Sequence, residues 1–536
     1  ASAAAKARRT NESADITIFE KGAYVSFANC GLPYYVGETI HDRNDLLLQT
    51  PEKFWKRFRV RVHVFHEVLN IDRHSKCVHV KNLVTQENTT HSYDRLILSP
   101  GAGAIRPNVP GIQAENIFTV KTVPDSDAIR NFLSHHPSHR SLIIGGGFIG
   151  LETAEALMNR GLAVTIVEKA PHILPLFDAD MANFVSLHLQ EKGIAIITGD
   201  GITGFRQNGR LAQEAELESG KRLLMDLAIL SIGVRPELKL ARDAGLEIGV
   251  SGGIAVNERQ QSSDPDIYAA GDAVETTHLV TGKRTRIPLA GPANKQGRVA
   301  GANAAGGNLS FRGALGTTIV ESMGIIAAKT GLAEHEAKAY GFEYFVSLTH
   351  PLDHAEYYPG AEALHMKLVV EKRTGKLLGA QIVGEHGVDK RIDVLATAIQ
   401  AKMSVEDLEQ LDLAYAPQFN SAKGPIIMSG FVAANTLRGE VKTLTGEELQ
   451  KKLAAELPIQ LLDVRTSDEY HQAHIPQALL VPVDELRDRL KDLDPSLETV
   501  VYCRVGLRGY LAARILLQHS FTNVYNLTGG YISFPR

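Results

Sequence analysis

Cysteine is scarce in this chain: Cys30, Cys77 and Cys503 are the only three in 536 residues. Three thiols cannot build a disulfide framework at this length. Their scarcity fits a reducing compartment, so the expected localisation is cytoplasmic. No two stand at CxxC or CxxxxC spacing, which leaves no local support for a redox dithiol or a cysteine-based zinc site. Excess positive charge is lacking too. Lys+Arg number 57 against 61 Asp+Glu, a net charge of −4, which argues against a general nucleic-acid binder. No uncharged apolar run approaches ~18 residues, so no membrane span is expected. No segment shows the charged, apolar, small-residue order of a secretory signal. An opening Met is also missing: the chain starts ASAAAKARRT, a helix in mid-course.

The remaining composition, 44% hydrophobic and 22% charged, is that of a globular protein. At ~150 residues per domain, the length predicts three or four domains. From Ser141 the segment SLIIGGGFIGLETAEALMNRGLAVTIVEK reads strand, glycine turn, helix, strand. Gly145, Gly147 and Gly150 form GxGxxG, and Glu168 ends the second strand 18 residues after Gly150. Glycines let backbone N–H groups approach a pyrophosphate at a helix N-terminus, and the acid takes the ribose hydroxyls. Glu168 favours NADH by repelling a 2′-phosphate, while Lys169 beside it leaves NADPH open.

The same template fits the opening residues. ASAAAKARR is a small-residue helix, ITIF a strand, and Glu20 ends it. Counting back by analogy places the matching glycine turn at or before residue 1, so the first strand and phosphate loop of a second dinucleotide unit are expected to be lacking. The plainer alternative is an ordinary N-terminal helix and strand. Two further segments suit a flavin: YDRLILSPGA, with Ser99 and Gly101 in its turn, and SSDPDIYAAGDAVE, a strand ending in Gly271-Asp272. A carboxylate beside a glycine at a strand end can hold a ribityl chain.

Glu20, SPGA, GGGFIGLE, IGVRP (232–236) and AAGDA, in this order, resemble the pyridine nucleotide–disulfide oxidoreductase family. The resemblance implies an α/β fold with two Rossmann-like dinucleotide-binding domains, the FAD domain split by the NAD domain, then an α+β dimerisation domain. The expected layout is FAD domain, first part, 1–105; NAD(P)H domain 106–235; FAD domain, second part, 236–322; dimerisation domain 323–432; linker 433–445; and a C-terminal α/β module 446–536. Glu20, Lys21, Ser99, Gly101, Gly271 and Asp272 would hold FAD. Gly145, Gly147, Gly150 and Glu168 would hold NADH, with Phe148 as an aromatic lid over nicotinamide or, alternatively, as core packing.

Cys30 lies in YVSFANCGLPYYVG, where Gly31 and Pro33 bend the chain after the thiol. Near a helix N-terminus its pKa is expected to be lowered, which favours the nucleophilic thiolate. The alternative is an inert structural cysteine. SFANCGLPYY resembles the active-site segment of the coenzyme A–disulfide reductase branch, which uses one cysteine and takes the partner sulfur from coenzyme A. That resemblance implies coenzyme A contacts at Lys6, Arg9, Ser26, Asn29, Asn294 and Lys423. A solvated helix face is the alternative for the basic pair. It also implies that tyrosines from HAEYYPGAE and LDLAYAPQFNSAKG serve the sulfur across a homodimer: Tyr357, preferred over Tyr358, and Tyr415. A phenol can donate a hydrogen bond or a proton to a leaving thiolate, or simply pack at an interface.

Beyond Phe431 the texture changes. In ETVVYCRVGLRGYLAARILLQH a strand ends at Cys503 and a helix starts near Gly509. Loop N–H groups, the helix dipole, and the cations Arg504 and Arg508 would together stabilise a negatively charged sulfur. The loop 503–508, with LLDVR, AHIP and LTGGY, resembles a rhodanese domain and implies sulfur transfer through a Cys503 persulfide. A phosphatase use of such a scaffold needs a longer loop. Cys77, in the alternating strand SKCVHVKN, reads as structural. HHPSH (135–139) reads as a solvated linker, and His63 and His66 as strand residues. No metal site is expected.

Together these features resemble a coenzyme A–disulfide reductase–rhodanese fusion. The expected activity is FAD-dependent NAD(P)H reduction of coenzyme A persulfide, coenzyme A disulfide or polysulfide. Two alternatives remain: a flavin peroxidase or NADH oxidase working through a cysteine sulfenic acid, and a flavin-poor sulfur carrier or sensor acting through Cys503.

Overall fold

The structure, a computed structural model, describes residues 1–535. The chain divides into two compact units, Ala1–Pro175 with His188–Gly316, and Leu176–Leu187 with the residues from Thr317 onward.

In the first unit, short runs of aliphatic residues form a five-stranded parallel sheet. Its order is Ala195–Thr198, Ala163–Glu168, Arg140–Ile144, Leu227–Leu230, Ile117–Thr119. Helix Phe148–Asn159 links two neighbouring strands and buries Gly150, Leu151, Ala154, Ala156 and Leu157. Side chains this small let the helix lie close to its neighbours, as a βαβ unit requires. The chain enters and leaves this domain side by side: Ala102–Ala104 pairs antiparallel with Val234–Pro236. The flanking domain contributes two parallel strand pairs, Ile16–Phe19 with Val60–His63 and Leu96–Leu98 with Ile267–Ala269. Helix Ser2–Thr10 lies against helix Ala290–Ala304 so closely that a Cβ on Gly301 would sit 2.1 Å from the Ala3 carbonyl oxygen. Arg8 is buried there, its guanidinium donating to the carbonyls of Phe58 (2.7 Å) and Arg59 (3.1 Å).

The second unit contains a five-stranded antiparallel sheet, ordered Thr318–Ser322, Ile325–Gly331, Leu377–Gly384, His365–Glu371, Tyr344–Thr349. It also contains a five-stranded parallel sheet, ordered Lys442–Leu444, Val524–Leu527, Glu498–Tyr502, Ile459–Asp463, Leu479–Leu480. This is the α/β architecture expected from the motifs, with its antiparallel interface-type sheet and C-terminal α/β module.

Regular elements run through two of the expected boundaries, and one segment groups with the second unit. Within 433–445, helix Pro425–Leu437 runs through the first five residues, burying Ala433 and Ala434, and Lys442–Leu444 is a strand of the last sheet. Strand Thr318–Ser322 belongs to the antiparallel sheet and not to the preceding domain. Finally, Leu176–Leu187, expected inside the nucleotide domain 106–235, is part of the second unit. Asp178 and Asp180 pair there with the buried Lys367, at 3.3 and 2.8 Å. Among the described residues no helix is long and apolar enough to cross a membrane.

Candidate active sites

The GxGxxG turn begins where strand Arg140–Ile144 ends. Gly145 has φ +104°, and a Cβ on it would lie 2.6 Å from the Ser231 carbonyl oxygen. A Cβ on Gly150 would lie 2.1 Å from the Gly145 oxygen, whereas one on Gly147 meets nothing within 4 Å. The outer glycines thus permit the turn and the close packing. The middle one, at the N-cap of helix Phe148–Asn159, leaves open the approach a pyrophosphate needs. The Glu168 carboxylate accepts from the Gly146 N–H at 2.8 Å and the Ala170 N–H at 2.7 Å, which aims it at the turn. Lys169 points away to Glu218, 2.6 Å from its carboxylate. Phe148 is half-buried at the start of the helix and is not a core residue.

Cys30 sits in the 3₁₀ turn Asn29–Gly31 that leads into the short helix Leu32–Val36, and it is exposed. Glu152 from the helix after the GxGxxG turn, Lys121 and Asp272 all act on it electrostatically. Tyr34 donates to Glu152 at 3.4 Å, and burial pushes the Glu152 carboxyl up to about 7. The expectation of a lowered thiol pKa is reversed. Desolvation, then Glu152, raises Cys30, and Lys121 only partly opposes them. A five-residue helix offers little dipole against a neighbouring carboxylate.

Lys121 lies 3.8 Å from Asp272, so the cysteine turn and the Gly271-Asp272 strand end converge. Gly271 (φ +94°) and Gly101 (φ +73°) each face open space where a Cβ would stand. The Gly271 N–H donates to Gln296 Oε1 at 2.9 Å. Glu20 ends its strand and accepts from the Gly22 N–H at 2.7 Å, while Lys21 and Ser99 are exposed.

On helix Ser2–Thr10, Lys6 is half-buried and Arg9 exposed. Asn294 accepts from the Ser2 hydroxyl at 2.6 Å, Ser26 is half-buried, and Asn29 and Lys423 are exposed. In the second unit the Tyr357 and Tyr415 hydroxyls are hydrogen-bonded at 2.8 Å. Tyr358 instead sets its ring edge against His354.

Cys503 ends strand Glu498–Tyr502, and the loop turns at Gly506 (φ +109°) into helix Leu507–Leu517. The Gly506 N–H donates to the Cys503 Sγ at 3.1 Å, and the residue is 1% exposed. Arg504 is exposed. Arg508, expected as a free second cation, is paired at two points with Glu469: Nη1–Oε2 2.6 Å and Nη2–Oε1 2.8 Å. Arg508 also interacts with Cys503, so the ion pair stands beside the sulfur. Glu469 escaped sequence reasoning, although Thr466-x-x-Glu469 is a visible capping box. Glu152 closes the GGGFIGLE segment, but nothing in that segment points it at Cys30, and Lys121 carried no comparable signal. Cys77 is half-buried, with the Ser75 hydroxyl 3.1 Å from its sulfur.

The pyridine nucleotide-disulphide oxidoreductase family description matches residues 1–297, more than half of the chain. The chain belongs to this family. The family's dimerisation domain matches residues 322–424, and a rhodanese-like domain matches 445–534. Among family members, the coenzyme A disulfide reductase of Staphylococcus haemolyticus is 34% identical over 434 residues, covering 81% of this chain and 96% of the relative. The structure of reduced Bacillus anthracis CoADR-RHD superposes with TM-score 0.96 at 42% identity, over 99% of this chain and 95% of that one. An NAD-dependent persulfide reductase from A. fulgidus gives TM-score 0.93 at 37% identity, over 100% of this chain and 98% of that one.

Proposed function

We propose that this oxidoreductase is a cytoplasmic, homodimeric, FAD-dependent NAD(P)H reductase of coenzyme A persulfide, coenzyme A disulfide or polysulfide, coupled to a module that accepts sulfane sulfur on Cys503. The observation that carries the reading is the setting of Cys30. It is a single exposed thiol, with Asp272 and the helix of the GxGxxG turn beside it. With no paired cysteine in the sequence, the second sulfur of its redox cycle must come from substrate.

The residues fit both nucleotides. Open backbone at Gly101 and Gly271 beside Asp272, together with Glu20, Lys21 and Ser99, suits FAD. The open Gly147, the turn glycines Gly145 and Gly150, Phe148 and the anchored Glu168 suit NADH. Lys169 is occupied by Glu218, which supports NADH over NADPH. FAD, when bound, supplies the two-electron link between nicotinamide and the sulfur centre.

The protein's own residues do the rest. Lys6, Arg9, Ser26, Asn29 and Asn294 bind and orient coenzyme A, and in the proposed homodimer the partner subunit's Lys423 joins them. The Cys30 thiolate attacks the sulfur attached to coenzyme A and forms a mixed disulfide, and hydrosulfide, or coenzyme A thiol from the disulfide, departs with the bonding electron pair. In the proposed homodimer a proton from the partner subunit's Tyr357 and the partner subunit's Tyr415 meets the leaving sulfur. Cys503 collects sulfane sulfur, and Arg504 draws in anionic donors.

The test is anaerobic NADH oxidation by the purified flavoprotein with coenzyme A persulfide, coenzyme A disulfide, polysulfide and peroxide. Sulfur substrates are expected to dominate, and Cys30→Ser is expected to abolish turnover while sparing sulfur transfer at Cys503. Peroxide turnover far above sulfur turnover would establish the peroxidase alternative. A colourless protein that still loads Cys503 would establish the carrier.

A further inference from the structure

We propose that Glu469 selects the sulfur donor at Cys503, favouring organic persulfides over the inorganic dianion thiosulfate by cancelling the charge of Arg508. This rests on the reading of Cys503 as a sulfur-accepting thiol and names the donor class of that site.

The ion pair is built to persist. Glu469 stands in the first turn of helix Ser467–Gln472, where its carboxylate also accepts from the Thr466 N–H (3.0 Å) and hydroxyl (3.2 Å). Arg508 and the Thr466 contacts hold its carboxyl down to about 2, so it is anionic at every working pH. Arg508 reaches Cys503 as well as Glu469, and both raise its guanidinium pKa, Glu469 more. The carboxylate therefore acts on any anion brought to the sulfur. The loop mouth also offers apolar surface, with Leu507 66% and Val505 37% exposed. Exposed apolar side chains suit the carbon body of an organic persulfide and give thiosulfate nothing.

The two donors place different demands on charge. With a persulfide, the Cys503 thiolate attacks the outer sulfur of R–S–S–H. The new bond is Cys503 Sγ–S, the donor S–S bond breaks, and R–S⁻ leaves with the electron pair, so one negative charge is carried throughout. With thiosulfate the same attack expels sulfite, and the donor side carries two negative charges from approach to departure. One uncompensated cation, Arg504, suffices for the first case. The second needs two, and Glu469 removes one of them.

The test uses the full-length flavoprotein under anaerobic conditions with two probes, glutathione persulfide and thiosulfate. Sulfur loaded on Cys503 is trapped with cyanide and confirmed as a one-sulfur mass gain. Glu469→Gln keeps the cap and frees the Arg508 charge. It is expected to raise kcat/KM for thiosulfate about tenfold, mainly through KM, with little change for the persulfide. Arg508→Gln is expected to lower thiosulfate use further. Glu469→Gln combined with Arg508→Gln restores the local charge and should return the donor ratio to that of the unaltered protein, a pattern that lost structure would not produce. NADH-driven reduction through Cys30 serves as the folding control. A donor ratio that stays flat across the series overturns the proposal while leaving sulfur transfer standing. Failure of both donors to load Cys503 in the unaltered protein overturns both readings.

Discussion

The hydroxyls of Tyr357 and Tyr415, 58 residues apart in sequence, stand 2.8 Å apart on exposed side chains. The hydrogen bond to Tyr415 raises the Tyr357 pKa, and the paired phenols keep a proton at hand as hydrogen-bond donors. Tyr357→Phe or Tyr415→Phe is expected to slow release of the leaving thiol on the order of 10²-fold. The double variant should be little worse than either single one, because the pair acts as a unit. Tyr358→Phe should leave the rate near its starting value. Single-turnover kinetics with coenzyme A disulfide distinguish these outcomes.

The GxGxxG turn separates folding from binding at two positions. Gly147→Ala places a methyl in open space, so the thermal midpoint should stay put while KM for NADH rises at least tenfold. Gly150→Ala drives a methyl to 2.1 Å from the Gly145 carbonyl oxygen. It should destabilise the protein by about 1–3 kcal/mol, the usual cost of overpacking. Thermal melts alongside NADH titrations check both.

Lys367 is nearly buried and pairs with Asp178, Asp180 and Glu334 at 3.3, 2.8 and 2.7 Å. Those carboxylates hold its ammonium charged despite burial. Lys367→Met keeps the volume and strands three acids. A loss of about 3–5 kcal/mol is expected, seen as a lower urea midpoint for the second unit. An unchanged midpoint would show that the acids relax to water without cost.

Acid should loosen the contact between the antiparallel sheet and the C-terminal module. His350 Nδ1 lies 2.8 Å from His365 Nδ1, and His350 Nε2 lies 2.9 Å from the Ser533 hydroxyl. The Phe184 ring stacks on His365 at 3.7 Å. Burial pushes His350 down to about 3 and His365 down to about 4. Both rings are therefore neutral when folded, whereas an unfolded histidine titrates near ~6.5. The unfolded state binds more protons between these values. The stability contribution is intact above pH ~6.5 and is lost as pH falls through the folded values. Hydrogen-exchange protection at residues 528–533, corrected for the intrinsic rate at each pH, should fall from pH 6 toward pH 4, and His350→Asn should flatten that dependence.

Much of this protein was legible without coordinates because its strongest signals are local. A glycine turn between an apolar strand and a small-residue helix specifies a dinucleotide loop over a few residues, and the structure gives each glycine of Gly145, Gly147 and Gly150 a separate steric reason. The strand-loop-helix around Cys503 was equally readable. Boundaries were less so. Polar residues at 433–445 read as a linker, and the structure runs the end of a helix and a short strand through that stretch.

The sequence by itself therefore determined the modules, the nucleotide turns and the two thiols set at backbone turns, since each depends on residues close along the chain. Only the tertiary structure decided which charged groups face those thiols and how their neighbours are paired. Glu152, far from Cys30 in sequence, raises the thiol it was not known to face. Glu469 neutralises an arginine that the loop alone presents as free. Tyr415 is joined by Tyr357 and not by Tyr358. Desolvation and Coulomb energy depend on distance through space, which chain order does not encode.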